Sequence, residues 1–167
     1  LEGPHPDLYT AALCFSEIAL GRYSRAIGAA LEFEARPEAE TAFTTAALDV
    51  RLYQAYALAR KGHFEAALSL SQATVVLCPG YWYSHFVMCS ILSRFGARLN
   101  EQLNPKRHKT TKQRLESIVR SGLHHGKRAR CLHSSSGSSF ISERDGDFAF
   151  FAALPEFADL FRESDNA

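Results

Sequence analysis

Ala19-Leu20-Gly21-Arg22-Tyr23-Ser24-Arg25-Ala26 and Arg60-Lys61-Gly62-His63-Phe64-Glu65-Ala66-Ala67 share one pattern. In each, an aromatic follows the Gly by two residues and an Ala follows it by five. A third string, Arg94-Phe95-Gly96, keeps the Gly alone. Gly62 and Gly96 are 34 residues apart, and Gly21 and Gly62 are 41 apart, seven more. Pro37 and Pro79 follow their glycines by 16 and 17 residues.

This spacing describes a helical hairpin. Gly ends one helix by taking the left-handed conformation at low cost. The aromatic opens the next helix and packs back on the first, the small Ala lets the two backbones approach, and Pro closes the second helix. Apolar residues at helical spacing, such as Leu8, Ala12, Phe15 and Ala19, agree. The pattern predicts an all-α chain with helices near Asp7–Leu20, Ser24–Ala35, Glu38–Lys61, His63–Leu77, Tyr81–Phe95 and Ala97–Leu103. Ser24 is the expected N-cap of the second helix. The seven extra residues are expected to lengthen the third.

The Gly, aromatic, Ala and Pro in this order resemble the tetratricopeptide repeat over residues 7–104, with two good repeats and one degraded. Thr10 and Arg51 stand where a large residue is usual, Arg98 where the aromatic belongs and Glu101 where the Ala belongs. The resemblance implies a right-handed superhelix of helical hairpins. It further implies that ligands lie along a concave face made by the first helix of each repeat. That face would hold Leu8, Ala11, Phe15 and Ile18, then Asp49, Leu52, Tyr56 and Arg60, then Tyr83, Phe86, Ser90 and Arg94. The Lys and Asn positions that clamp a chaperone's C-terminal carboxylate hold Ala11, Phe15, Tyr53, Tyr83 and Val87, so a chaperone tail is disfavoured as partner. An aromatic groove edged by Arg60 and Arg94 complements a peptide or helix carrying aromatics and a few carboxylates. Phe15 and Tyr56 read equally well as packing between helices.

The formal net charge of +1 conceals a segregation. Residues 1–104 carry −2, residues 105–133 carry +8 and residues 134–167 carry −5. The +8 segment holds Lys106, Arg107, Lys109, Lys112, Arg114, Lys127, Arg128 and Arg130. Within it Leu115, Ile118, Val119 and Leu123 mark an amphipathic helix near Thr110–Gly122, read as a basic capping helix spanning 105–123. Nucleic acid is the alternative partner for this segment, through residues 106–130. Residues 124–139 read as a basic, Ser-rich linker, with Ser134–Ser139 as candidate phosphate acceptors. His124, His125, Cys131 and His133 match no closed metal motif, so no metal or other cofactor is expected. The acidic aromatic tail, 140–167, carries Phe148, Phe151, Phe157, Leu160 and Phe161. It is expected to dock, either on its own array, where it would compete with a partner, or on another protein. Two shapes stay open for 140–151: a hairpin at Asp145-Gly146, or a helix from Asp147.

The longest apolar stretch, Tyr81–Leu92, has twelve residues, short of the about 20 a membrane span needs. Four cysteines without a CxxC pair suit a reducing intracellular compartment, cytoplasmic or nuclear. With Leu1 first and no leader visible, the sequence reads as a fragment or processed product, which keeps a regulatory piece of a larger enzyme open. No nucleophile elbow, phosphate loop or zinc-protease motif is present, and His63 and His85 read as structural or solvent-facing. The expectation is a non-catalytic protein-interaction scaffold.

Overall fold

The structure, a computed structural model, describes residues 6–36, 44–102, 108–133 and 146–161. Among these residues the secondary structure is helical, with no strand. The chain divides into two compact units, residues 1–76 and 77–167.

In the N-terminal unit, α1 (Pro6–Ala19), α2 (Tyr23–Glu34) and α3 (Thr45–Arg60) pack against one another, and α4 (Phe64–Leu77) follows. The repeated glycines do what their spacing requires. Gly21 and Gly62 have φ of +71° and +86°, where a Cβ is strained and Gly is not. Each closes a Schellman end. Arg22 N–H reaches Glu17 O at 2.7 Å and Gly21 N–H reaches Ile18 O at 2.9 Å, while His63 N–H reaches Leu58 O and Gly62 N–H reaches Ala59 O, both at 3.0 Å. Tyr23 and Phe64 open the next helices, and the paired alanines, Ala26 and Ala67, are fully buried. Small side chains set the close approach of the first three helices. Ala11, Cys14, Ala30, Phe33, Ala47 and Val50 form their core, with Tyr53 packed at its edge.

Two helix starts differ from expectation. The cap of α2 is Arg22, without a side-chain hydrogen bond. Ser24 instead accepts a 2.9 Å hydrogen bond from Lys61 Nζ. The third helix starts at Thr45, not Glu38, because Thr44 takes an extended conformation and its hydroxyl accepts from Ala47 N–H at 3.1 Å. The same hydroxyl donates to Asp7, fastening the start of α1 to that of α3. Pro37 and residues 38–43 lie outside the described residues.

The C-terminal unit departs further. In place of separate helices over Tyr81–Phe95 and Ala97–Leu103 there is one, α5 (Trp82–Glu101). Gly96 therefore ends nothing. It sits inside the helix, where a Cβ would collide with the Phe150 ring. Likewise α6 (His108–His133) runs through Gly122 and Gly126, so residues 124–133 are helix and not linker. A Cβ at Gly122 would collide with Phe151, and one at Gly126 would lie 2.7 Å from Leu160 Cδ1. Both glycines are packing positions, so the apparent helix stop is a notch for another segment. The buried seam of α6 runs Ile118, Gly122, His125, Gly126 and Ala129, with Leu115, Val119 and Leu123 half-buried beside it.

That other segment is the tail. It forms α7 (Ala149–Ala152), a 3-10 turn (Pro155–Phe157) and α8 (Ala158–Phe161), with Pro155 at the position where its missing N–H is not needed. α7 packs on α5 and α8 on α6. Phe148, Phe151, Phe157 and Leu160 are all buried. The Phe151 and Phe157 rings stack at 4.1 Å between centroids.

Candidate functional site

α1 is apolar on two faces, and only one is used. Asp7, Thr10, Ala11 and Cys14 face inward. Leu8, Ala12, Phe15 and Ala19, the row whose spacing announces the helix, is exposed. Leu8 is 61% and Phe15 57% accessible. Exposed aromatic surface of this kind marks interaction sites when it is contiguous. Here contiguity comes from α3. The Phe15 ring lies 5.9 Å from Tyr53, and Tyr56 follows Tyr53 by three residues on the same helix face. Arg60 Nη1 donates to the Tyr56 hydroxyl at 3.2 Å. The Arg60 guanidinium also lies 5.0 Å from the Tyr23 ring and 5.9 Å from the Tyr56 ring, within cation–π range. A track thus runs Phe15, Tyr53, Tyr56, Arg60, Tyr23. It ends beside a cavity of about 370 Å³ lined by Gly21, Arg22, Tyr23, Ser24, Arg25 and Lys61.

The groove residues expected from sequence therefore separate. Phe15, Tyr56 and Arg60 share the track, and Ile18 is half-buried on α1. Leu52 is fully buried and Ala11 nearly so. Both are corrected from groove to core.

Tyr83, Phe86 and Arg94 belong to the C-terminal unit, and Phe86 and Arg94 meet the tail. Phe86 lies 5.2 Å from Phe148 between centroids and stacks on Tyr83 at 6.0 Å. Arg94 Nη1 pairs with Asp147 Oδ1 at 2.7 Å. Ser90 is buried. The α5 face expected to bind a partner thus meets Asp147, Phe148 and α7 of the same chain. The Phe161 side chain lies outside the described residues.

Lys106 and Arg107, and the Lys109 side chain, lie outside the described residues, as do Ser134–Ser139. Lys112, Lys127 and Arg128 are exposed. Arg114 covers the Phe95 ring at 4.8 Å, and Arg130 donates to the Asp159 carbonyl, so these two serve the fold. Among the described residues no three His, Cys, Asp or Glu side chains converge on a metal position. His124 is exposed, His125 is buried and His133 lies 4.3 Å from Trp82.

Comparison with protein-family models, with curated proteins and with solved structures found no match. Among the described residues no helix is long and apolar enough to cross a membrane.

Two features escape a reading of the sequence. One is the His85–His125 contact, 40 residues apart, for which spacing carries no signal. The other is the cationic cavity. Arg22 and Arg25, three apart at a helix start, are its visible half; Lys61 joins them only through the fold.

Proposed function

We propose that this chain is a non-catalytic interaction module whose N-terminal unit binds a peptide segment of a partner protein on the α1–α3 face. The observation that carries the reading is the exposed row Leu8–Phe15 set against Tyr53. A helix that leaves its larger apolar residues in water while burying Ala11 and Cys14 is arranged for a second contact. Aromatic anchors beside a cation are the usual currency of peptide recognition.

The tetratricopeptide-like reading is supported by the two glycine-closed hairpin turns, the buried Ala26 and Ala67, and the packing of α3 on both helices before it. In such an array the first helix of each hairpin supplies the binding face, and α1 and α3 hold those places. In this reading the α1–α3 face is the partner's surface. The free cysteines, two of them buried, suit an intracellular setting.

The test is selection of random-sequence peptides displayed on phage against the full chain, with affinities read by fluorescence polarisation. Enriched peptides should bind the Leu8→Gln/Phe15→Gln variant about tenfold more weakly or worse. Equal binding to this variant overturns the reading.

A further inference from the structure

The track on α1 and α3 does not end in solvent but at a cluster of positive charge, and this bears on what the peptide must contain. Arg22, Arg25 and Lys61 line the cavity at the α1–α2 turn. Arg60 lies over Tyr23, a lining residue. Against these stands Glu17, 3.8 Å from Arg22. Among the described residues no carboxylate pairs with Arg25 or Lys61. Lys61 is held by a neutral partner, the Ser24 hydroxyl, which fixes its ammonium at the cavity without neutralising it. Nothing lies within 4 Å of where a Gly21 Cβ would stand, so the cavity opens freely at the turn.

We propose that this cavity is the acidic subsite of the peptide face. It takes one or two Asp or Glu side chains placed a few residues from the aromatic anchors that lie on Phe15 and Tyr53. The inference rests on the α1–α3 reading above. It goes further by fixing the chemistry and polarity of the ligand: apolar residues at the Phe15 end, carboxylates at the Tyr23 end. Charge complementarity decides for an acidic occupant. A basic or purely apolar segment would meet Arg25 and Lys61, which among the described residues pair with no carboxylate, and like charges brought together cost affinity. Arg60 couples the halves, since its guanidinium lies within cation–π range of both Tyr23 and Tyr56 and donates to the Tyr56 hydroxyl.

The experiment uses the same phage-enriched peptides and the full chain. Enriched sequences should carry Asp or Glu at a fixed short distance from their aromatics. Arg25→Glu/Lys61→Glu should weaken binding about tenfold or more, through the loss of several charge pairs at once. Salt should weaken binding to the parent, and this dependence should shrink or change sign in the charge-reversed variant. Arg25→Lys/Lys61→Arg should bind as the parent does. Both positions are exposed, so helicity and melting temperature serve as controls for folding. Enriched peptides without acids, or full affinity in the charge-reversed variant, overturn the subsite. If binding still depends on Phe15 in that case, the peptide face survives without it. Binding indifferent to Phe15 overturns both. Displacement of the peptide by a single-stranded oligonucleotide, with the same sensitivity to charge reversal, overturns the subsite in favour of a phosphate-backbone ligand.

Discussion

His85 and His125 meet through their Nδ1 atoms at 2.9 Å, both buried, between α5 and α6. His85 Nε2 lies 3.0 Å from the Pro79 carbonyl, which can only accept, so Nε2 carries the proton. His85 Nδ1 is then the acceptor and His125 Nδ1–H the donor. A proton added to His85 Nδ1 would set two N–H groups head to head. Burial, and then the charges of His85 and His124, push His125 down to about 4. Burial also lowers His85; its Pro79 bond opposes this, while Arg128 and His124 add to it. Unfolding releases both to the ordinary value of 6.5, so below it the unfolded chain binds more protons. The stabilisation is complete above pH 6.5 and is lost as pH falls towards about 4. The slope should approach ~1.4 kcal/mol per pH unit for His125, and the lowering of His85 adds to it in the same direction. Urea unfolding at stepped pH measures it, and a midpoint that stays flat from neutral pH down to about 4.5 would contradict the assignment. His125→Gln, whose amide can still donate to His85, should flatten the slope.

The glycines of α2 and α6 should respond to Ala with opposite signs. Gly28 lies inside α2, and a Cβ there would have nothing within 4 Å. At this position Ala gains about 0.5–1 kcal/mol from reduced chain entropy. Gly122 lies inside α6 against the ring of Phe151, which is fully buried and cannot move aside. The cost of overpacking, typically about 1–3 kcal/mol, should outweigh the helix preference of Ala, ~1 kcal/mol. Melting temperatures of the two variants decide the point. A stabilised Gly122→Ala would mean the tail does not seat in the notch.

What can be read from sequence follows from how local the cause is. Gly21 and Gly62 each act within a few residues, through their own φ and the carbonyls just behind them, so both hairpin turns are legible. Gly96 looks the same in the string, yet its role is set by Phe150, on the far side of α6 in the chain. No local pattern distinguishes a helix-ending glycine from one that admits a distant ring. Taking Gly96 for a stop splits α5, and taking Gly122 for one cuts α6 short. The site shows the same divide. Phe15, Tyr56 and Arg60 come from the face that the repeat resemblance implies. Leu52 is misplaced by it, because an alignment gives the order of residues around a helix and not which of them the fold covers. Lys61 reaches Ser24 only through the fold.

The cysteines report independently on the tail. Burial pushes the Cys14 thiol up to about 11 and raises that of Cys89 further, while Cys131 is exposed. A maleimide at neutral pH should label Cys131 first and leave Cys14 and Cys89 unreacted, since the thiolate is the reacting species. Leu160 and the Cys89 sulfur converge on the same spot beside Gly126. Ending the chain before residue 146 removes that cover. Cys89 should then label readily while Cys14, in the other unit, stays protected. Mass spectrometry of peptides reads each site, and an unreactive Cys89 in the shortened chain would contradict the docked tail.

Phe15 and Leu52 separate surface from core within the N-terminal unit. Both fall on the face that the repeat resemblance implies for binding, and they differ in burial: Phe15 is mostly exposed, Leu52 fully buried. Leu52→Ala deletes buried methyl groups and leaves a cavity, which costs about 2–5 kcal/mol in typical cores, a large part of the stability margin of a small unit. Phe15→Gln gives up one tilted ring contact with Tyr53 and little burial, so the change should stay within about 0.5 kcal/mol. If the α1–α3 face binds peptide, the two variants diverge again in function. Phe15→Gln folds with the parent's melting temperature and loses affinity. Leu52→Ala loses stability but binds normally at temperatures where it remains folded, because its side chain never reaches the ligand. Denaturation curves and polarisation titrations on both proteins give this comparison. A Phe15→Gln chain as unstable as Leu52→Ala would place Phe15 in the core and withdraw the surface on which the peptide reading stands.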